Sequence, residues 1–257
     1  MPRRSASSLS SSACTPRRAC ALMTRKPPIA LASPTENGHD RRSRHGLQPH
    51  RKRCLSEKGA DVELIERLDA ARVRWNLLEH PFYKRWSCGE VTREELAHYA
   101  GEYRHAVVAL AETAAKSGNP RHAEEEADHV ALWDEFAAAL DADTDREPSA
   151  ETAQCIEAWT APGNRTEALA VMYAIEAGQP EVSQAKLAGL AEHYGLADGP
   201  GAEYFELHAE LDHEHAAESR RALEEEAERG DADRLVEVAE AALRGNWTLL
   251  DGVNRRS

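Results

Sequence analysis

From Asp61 to the end of the chain, apolar residues recur at i, i+3, i+4 spacing, with Gly and Pro confined to the joints and almost no alternating β-branched runs. That pattern predicts an all-α domain, with helices at about 61–79, 92–117, 120–141, 149–161, 165–178, 180–195, 201–229 and 231–252. An irregular link, HPFYKRWSCGEV, is expected at 80–91. Thr92 and Glu95 are spaced as a capping box, and Gly118-Asn119-Pro120 reads as the end of one helix and the start of the next. There is no Gly-rich phosphate loop, nucleophile elbow or basic stripe, so any chemistry must sit between helices, as in bundle enzymes.

Residues 1–58 differ from the rest. They hold 13 of the 32 Lys and Arg but three of the 45 acids, which leaves residues 59–257 with 19 basic and 42 acidic residues. The first segment is Ser- and Pro-rich without apolar periodicity and reads as a disordered basic leader. It is either an organelle transit peptide or, the favoured reading, sequence translated ahead of a true start. Residues 59–257 form a strongly acidic folded domain, which repels nucleic acid and anionic membranes. No stretch approaches the ~20 apolar residues of a membrane span, so a cytoplasmic protein is expected, with no nucleic-acid and no membrane partner. Five cysteines without a CxxC pair indicate neither a disulfide framework nor a thiolate metal site.

Within the seventh predicted helix, HAELDHEH places His208 and His215 on the apolar stripe shared with Tyr204 and Leu211, with Asp212 at its margin. His213 falls among the solvated acids of the opposite face. In HAEEEADHVALWDEF, His129 shares a stripe with Leu132, Trp133, Phe136 and Leu140. His122 lies two turns earlier on nearly the same azimuth and Glu125 and Glu126 flank it, so any of the three could pair with His129. Glu176 is a carboxylate set among Leu169, Met172 and Tyr173. Burying such groups unpaired costs several kcal/mol each. Imidazoles and carboxylates from three inward faces are the inventory of an iron or manganese site in a bundle core.

These residues carry a resemblance. HPFYKRWSCGEVTREELAHYAGEYRHA, HVALWDEF, MYAIEAGQPEVSQAKLAGLAEHYG and YFELHAELDHEH make the chain, over about 75–250, similar to the haem-oxygenase-like diiron oxidases of the TenA/PqqC superfamily, most of all to the CADD-like para-aminobenzoate-forming branch. The resemblance implies a single bundle of seven to eight helices, two Fe (or Mn) and O2 as co-substrate. His129, Glu176, His208, Asp212 and His215 match the family's ligand positions. His122 stands where the family has its first Glu, so that role falls to His122, Glu126 or Glu125, with Glu112 a further carboxylate. The branch is thought to make para-aminobenzoate from one of its own tyrosines and a lysine amine. Tyr83, Tyr99 and Tyr204, with Lys186, are the matching positions, while the tyrosine beside the family's second Glu is Ile175 here.

Three further expectations follow. The substrate is the protein's own Tyr or a small molecule, and a homodimer is compatible with the fold class. The alternative functions are TenA-like thiamine-salvage hydrolysis, which needs a cysteine where this chain has Ala170, and a metal-free binding or regulatory protein on the same scaffold.

Overall fold

The computed structural model describes residues 53–226 and 231–255, with side chains described from residue 63 onward. The leader reading falls, up to residue 52, outside the described residues. Helices run at α1 Arg53–Arg74, α2 Pro81–Ser87, α3 Arg93–Lys116, α4 Pro120–Ala139, α5 Ala150–Thr160, α6 Arg165–Glu176, α7 Gln179–Gly189, α8 Pro200–Glu226 and α9 Ala232–Arg255. No strand occurs among the described residues, so the domain is all-α, with eight long helices and a short α2. None of the described helices is long and apolar enough to cross a membrane.

Local chemistry sets most boundaries. Thr92 Oγ1 accepts from the Glu95 N–H at 3.2 Å while the Glu95 carboxylate accepts from the Thr92 N–H at 2.6 Å, the predicted box opening α3. Gly118 reverses the chain at φ +78°, a conformation that costs glycine nothing, and Asn119 then caps α4 ahead of Pro120. The link predicted to be irregular contains α2, because His80 Nδ1 accepts from the Phe82 N–H at 3.1 Å and Pro81 fixes the first helical turn. Conversely, α1 stops at Arg74 rather than near residue 79, since the Asn76 side chain caps a separate 3-10 turn at Leu77–Glu79.

Helix α8 lies against both α4 and α6, α3 packs on α4, and α7 crosses α8. Tyr99, Tyr103, Trp133, Phe136, Met172 and Phe205 fill the core between them. Their burial is the main source of stability, at ~25 cal/mol per Å2 of apolar surface removed from water. The polar residues set into this core define the site.

Candidate metal centre

Helix α4 presents His122, Glu126, His129 and Trp133 inward at i, i+4, i+7 and i+11, and α8 presents Tyr204, His208, Asp212, His215 and Ser219 in the same manner. Glu176 comes from the last turn of α6. The four histidines and three carboxylates are 0–3 % exposed. Asp212 is therefore fully inside, and not at the margin, because the helices packed against α8 cover that flank. His213 is exposed, as its position on the helix predicts.

The donor atoms converge. His122 Nε2 is 2.6 Å from Glu176 Oε1 and 3.7 Å from Glu126 Oε1, and His215 Nδ1 is 3.7 Å from Glu126 Oε1 and 3.8 Å from Asp212 Oδ1. His129 Nδ1 is 3.2 Å from Glu126 Oε1, and the His129 and His208 ring centroids are 4.5 Å apart. Two sets of atoms fall within 4.8 Å of one another: His122, Glu126, Glu176 and His215, and Glu126, His129 and His208. Glu126 belongs to both. Donors around one ion at ~2.0–2.2 Å lie roughly 3–4 Å apart, so each set has the spacing to hold a cation, with Glu126 a member of both.

Nine buried side-chain atoms of these seven residues have no hydrogen-bond partner: His122 Nε2, both oxygens of Glu126, His129 Nδ1, Glu176 Oε1, His208 Nε2, both oxygens of Asp212, and His215 Nδ1. Even the 2.6 Å approach of His122 to Glu176 lacks hydrogen-bond geometry. Unpaired buried polar atoms are costly, and mixed imidazole and carboxylate donors suit iron or manganese. The residues fit the metal pair that the family resemblance implies. The opposite ring nitrogens are occupied: His208 Nδ1 faces the Tyr204 carbonyl at 2.6 Å and His215 Nε2 faces the Glu125 carboxylate at 3.0 Å. Each contact fixes the tautomer whose lone pair points into the cluster.

The electrostatics follow from burial and crowding. Burial, joined by repulsion from Glu126, lifts Glu176 to about 7, and burial with repulsion from Glu176 and Glu126 lifts Asp212 well above the carboxylate range. Burial also raises Glu126, yet the His122 and His129 imidazoles override it and hold that carboxyl low. His122, penalised by burial, is raised to about 10 by Glu126 and Glu176, whereas burial and the neighbouring His129 depress His208 to about 4. Burial and His122 lower His215. A cation entering the cluster would displace protons and relieve these conflicts.

Beside the cluster lies a box of aromatic rings around Lys186 of α7. Its Nζ is 5.1 Å from the Tyr103 ring, 5.2 Å from Tyr83, 5.6 Å from Tyr99 and 5.0 Å from Phe205. Ring faces attract an ammonium, but burial wins and lowers the lysine to about 7 against a small opposing pull from Asp212. Tyr83 and Tyr99 join through their hydroxyls at 3.1 Å, and burial raises both phenols well above 10. Tyr204 stacks on His208 at 4.0 Å and meets Trp133 at 4.8 Å, linking the donor cluster to the lysine box.

Of the residues anticipated from sequence, His122, Glu126, His129, Glu176, His208, Asp212 and His215 gather in the cluster, and Tyr83, Tyr99 and Lys186 gather beside it. Glu125 is displaced to the outer side of His215 and Glu112 is exposed on α3, which separates both from the donors. Ala170 is fully buried in α6, and Cys155, on α5, has its thiol pushed far up by burial, so neither supplies a thiolate nucleophile. Tyr103 was not anticipated. Its spacing four residues after Tyr99 on one helix face was the signal for it.

Comparison with known proteins places this geometry. A family model described as iron-containing redox enzyme matches residues 94–247. A protein named 4-aminobenzoate synthase from Chlamydia muridarum is 28% identical over 216 residues, covering 76% of this chain and 91% of that one. Another of that name from Nitrosomonas europaea is 30% identical over 218 residues, covering 70% and 86%. Among solved structures, a TenA homologue from P. horikoshii OT3 aligns with a TM-score of 0.61 at 16% identity over 76% of this chain and 99% of its own. A domain of unknown function with a haem oxygenase-like fold from Shewanella denitrificans aligns at 0.57 with 21% identity, covering 77% and 92%. At such identities these structures establish the fold alone.

Proposed function

Since this chain belongs to the iron-containing redox enzyme family, we propose that it is a dinuclear iron oxidase that forms 4-aminobenzoate from one of its own tyrosines, using the Lys186 amine. The observation that carries the reading is the set of nine unpartnered donor atoms on α4, α6 and α8, shared through Glu126 and placed beside a buried lysine among tyrosines. The names of the relatives from Chlamydia muridarum and Nitrosomonas europaea supply the product.

Tyrosine and 4-aminobenzoate share a para-disubstituted ring. One replaces its phenol oxygen with nitrogen and oxidises its Cβ to a carboxylate, as the bond to Cα breaks, to become the other. When bound, two iron ions supply the capacity to activate O2, the oxidant this change needs. His129 and His208 would hold one ion and His122, Glu176 and His215 the other, with Glu126 available to both sets and Asp212, whose charge Lys186 feels, beside His215. Manganese could replace iron at one position, because the same hard donors accept it.

The remaining roles belong to the chain itself. Burial keeps a large fraction of Lys186 as a neutral amine near pH 7, and the rings of Tyr83, Tyr99 and Tyr103 surround it. Tyr83 and Tyr99 hydrogen-bond each other and keep their phenolic protons at neutral pH. Tyr204, stacked on His208 and edge-on to Trp133, is the phenol that borders the donors.

The test is isotopic. Protein made with 13C-ring tyrosine and 15N-lysine is loaded with iron and exposed to O2 and a reductant. The expected product is 4-aminobenzoate carrying both labels, at no more than one per chain, with matching mass loss at one of Tyr83, Tyr99, Tyr103 or Tyr204. Unlabelled product, or an unchanged polypeptide, would overturn self-sacrifice and point to an external substrate.

A further inference from the structure

A cavity of about 280 Å3 opens where α3 turns into α4. Its inner wall includes His122 and Ser219, each 2 % exposed, and its rim includes the partly or fully exposed Asn119, Arg165, Glu218 and Ala222. The inner wall is the edge of the donor cluster: His122 Nε2 is unpartnered and 2.6 Å from Glu176 Oε1, and Ser219 Oγ donates to Glu176 Oε2 at 3.4 Å. At the mouth, the Glu218 carboxylate accepts from Arg121 Nη2 at 2.7 Å and Asn119 Nδ2 at 3.1 Å. Arg165 holds the opposite side, donating from Nε to the Ser117 carbonyl at 2.9 Å and pairing with Glu226.

Size and polarity define what can use this route. A divalent ion with six waters needs about 200 Å3 at ~30 Å3 per water, which the cavity provides. Beside the apolar Leu169 and Ala222 and the Arg165 guanidinium, its hydroxyl, amide, imidazole and carboxylate groups offer a hydrated cation oxygen and nitrogen donors along the wall. The exposed pair of Arg121 with Glu218 holds only weakly, so an arriving cation can take the carboxylate from the arginine.

We propose that this cavity is the passage by which metal ions reach the cluster, with Glu218 receiving the ion at the mouth and His122 being the first imidazole it meets inside. The inference rests on the metal-centre reading above and concerns how that centre is filled.

The experiment mixes metal-free full-length protein with Co2+ and follows, by stopped-flow, the visible absorption that develops when cobalt gains imidazole and carboxylate ligands. Ala222→Phe fills the passage without touching a donor. It is expected to slow cobalt uptake about tenfold while leaving the final absorption unchanged, and Glu218→Gln should slow it about threefold and weaken its dependence on salt. Ala138→Phe, on the exposed face of α4, should load like the wild type. Wild-type rates in both Ala222→Phe and Glu218→Gln would overturn the passage while leaving the metal centre standing. Should Ala222→Phe not fold, Ala222→Leu takes its place under the same criterion. A wild-type protein that develops no cobalt absorption would overturn the metal centre, and the passage with it.

Discussion

Glu102 on α3 and Glu126 on α4 are equally buried, at 1 % exposure each, and differ in what the chain has placed around them. Glu102 Oε2 accepts from the Ser149 N–H at 3.0 Å and from the Thr152 hydroxyl, and Arg146 Nε lies 3.2 Å from Oε1. Burial penalises its charge, but these partners outweigh the penalty and hold the carboxyl below its ordinary value. Glu126 receives no hydrogen bond at either oxygen and faces imidazole nitrogens, with Glu176 and Asp212 crowded in behind them. Glu102 has a doubly hydrogen-bonded oxygen and an arginine beside its second oxygen, and it ties the start of α5 to α3; Glu126 has neither a hydrogen bond nor a guanidinium at either oxygen. Burial alone does not tell them apart; the unpartnered atoms do, one oxygen at Glu102, which has a guanidinium beside it, against both at Glu126.

The comparison can be broken at several points. Glu126→Ala removes the group common to both donor sets, so metal analysis should find iron affinity reduced by more than about 100-fold and no 4-aminobenzoate. Glu102→Ala should do the reverse: iron per chain unchanged, but about 2–3 kcal/mol of stability lost, since Arg146 is left without its carboxylate and is itself partly solvated. Thermal melting would show this as a fall of about 5–10 °C. Glu125→Ala frees His215 to adopt the wrong tautomer and should weaken iron binding about tenfold, with Glu125→Gln, which can still accept through its amide oxygen, recovering most of it.

A smaller effect concerns Lys186, whose folded pKa of about 7 lies below its ordinary 10.5. Between those values the unfolded chain binds more protons, so stability rises with pH; below about 7 the lysine's full penalty is in force. Lys186→Met should therefore melt higher at pH 6 than the wild type, the gap closing toward pH 10, while losing the amine for product formation. A constant gap across pH would show that burial does not shift this lysine.

The sequence makes one of the two sites legible and hides the other. His208 and His215 on one apolar stripe, His129 on a second and Glu176 on a third violate the helical hydrophobic pattern, and a violation is visible without coordinates. Glu102 is equally out of place, but Arg146, Ser149 and Thr152 lie 44–50 residues further along and give no local sign of the pairing. The choice among His122, Glu125 and Glu126 also exceeded helix geometry, because residues three and four apart share a face. Packing against α6 and α8 turns His122 and Glu126 inward and leaves Glu125 to hold His215 from outside. The short α2 escaped the periodicity because its seven residues span barely two turns, although His80-Pro81 is a helix-start signal.

The account stands on the unpartnered donors being a place for two ions. Metal-free protein should be loaded anaerobically with excess Fe2+, passed through a desalting column and assayed for iron per chain, alongside Glu126→Ala. Two retained irons in the wild type and a marked loss in the variant are the predicted result. Less than one iron in the wild type, or equal retention by the variant, would contradict it.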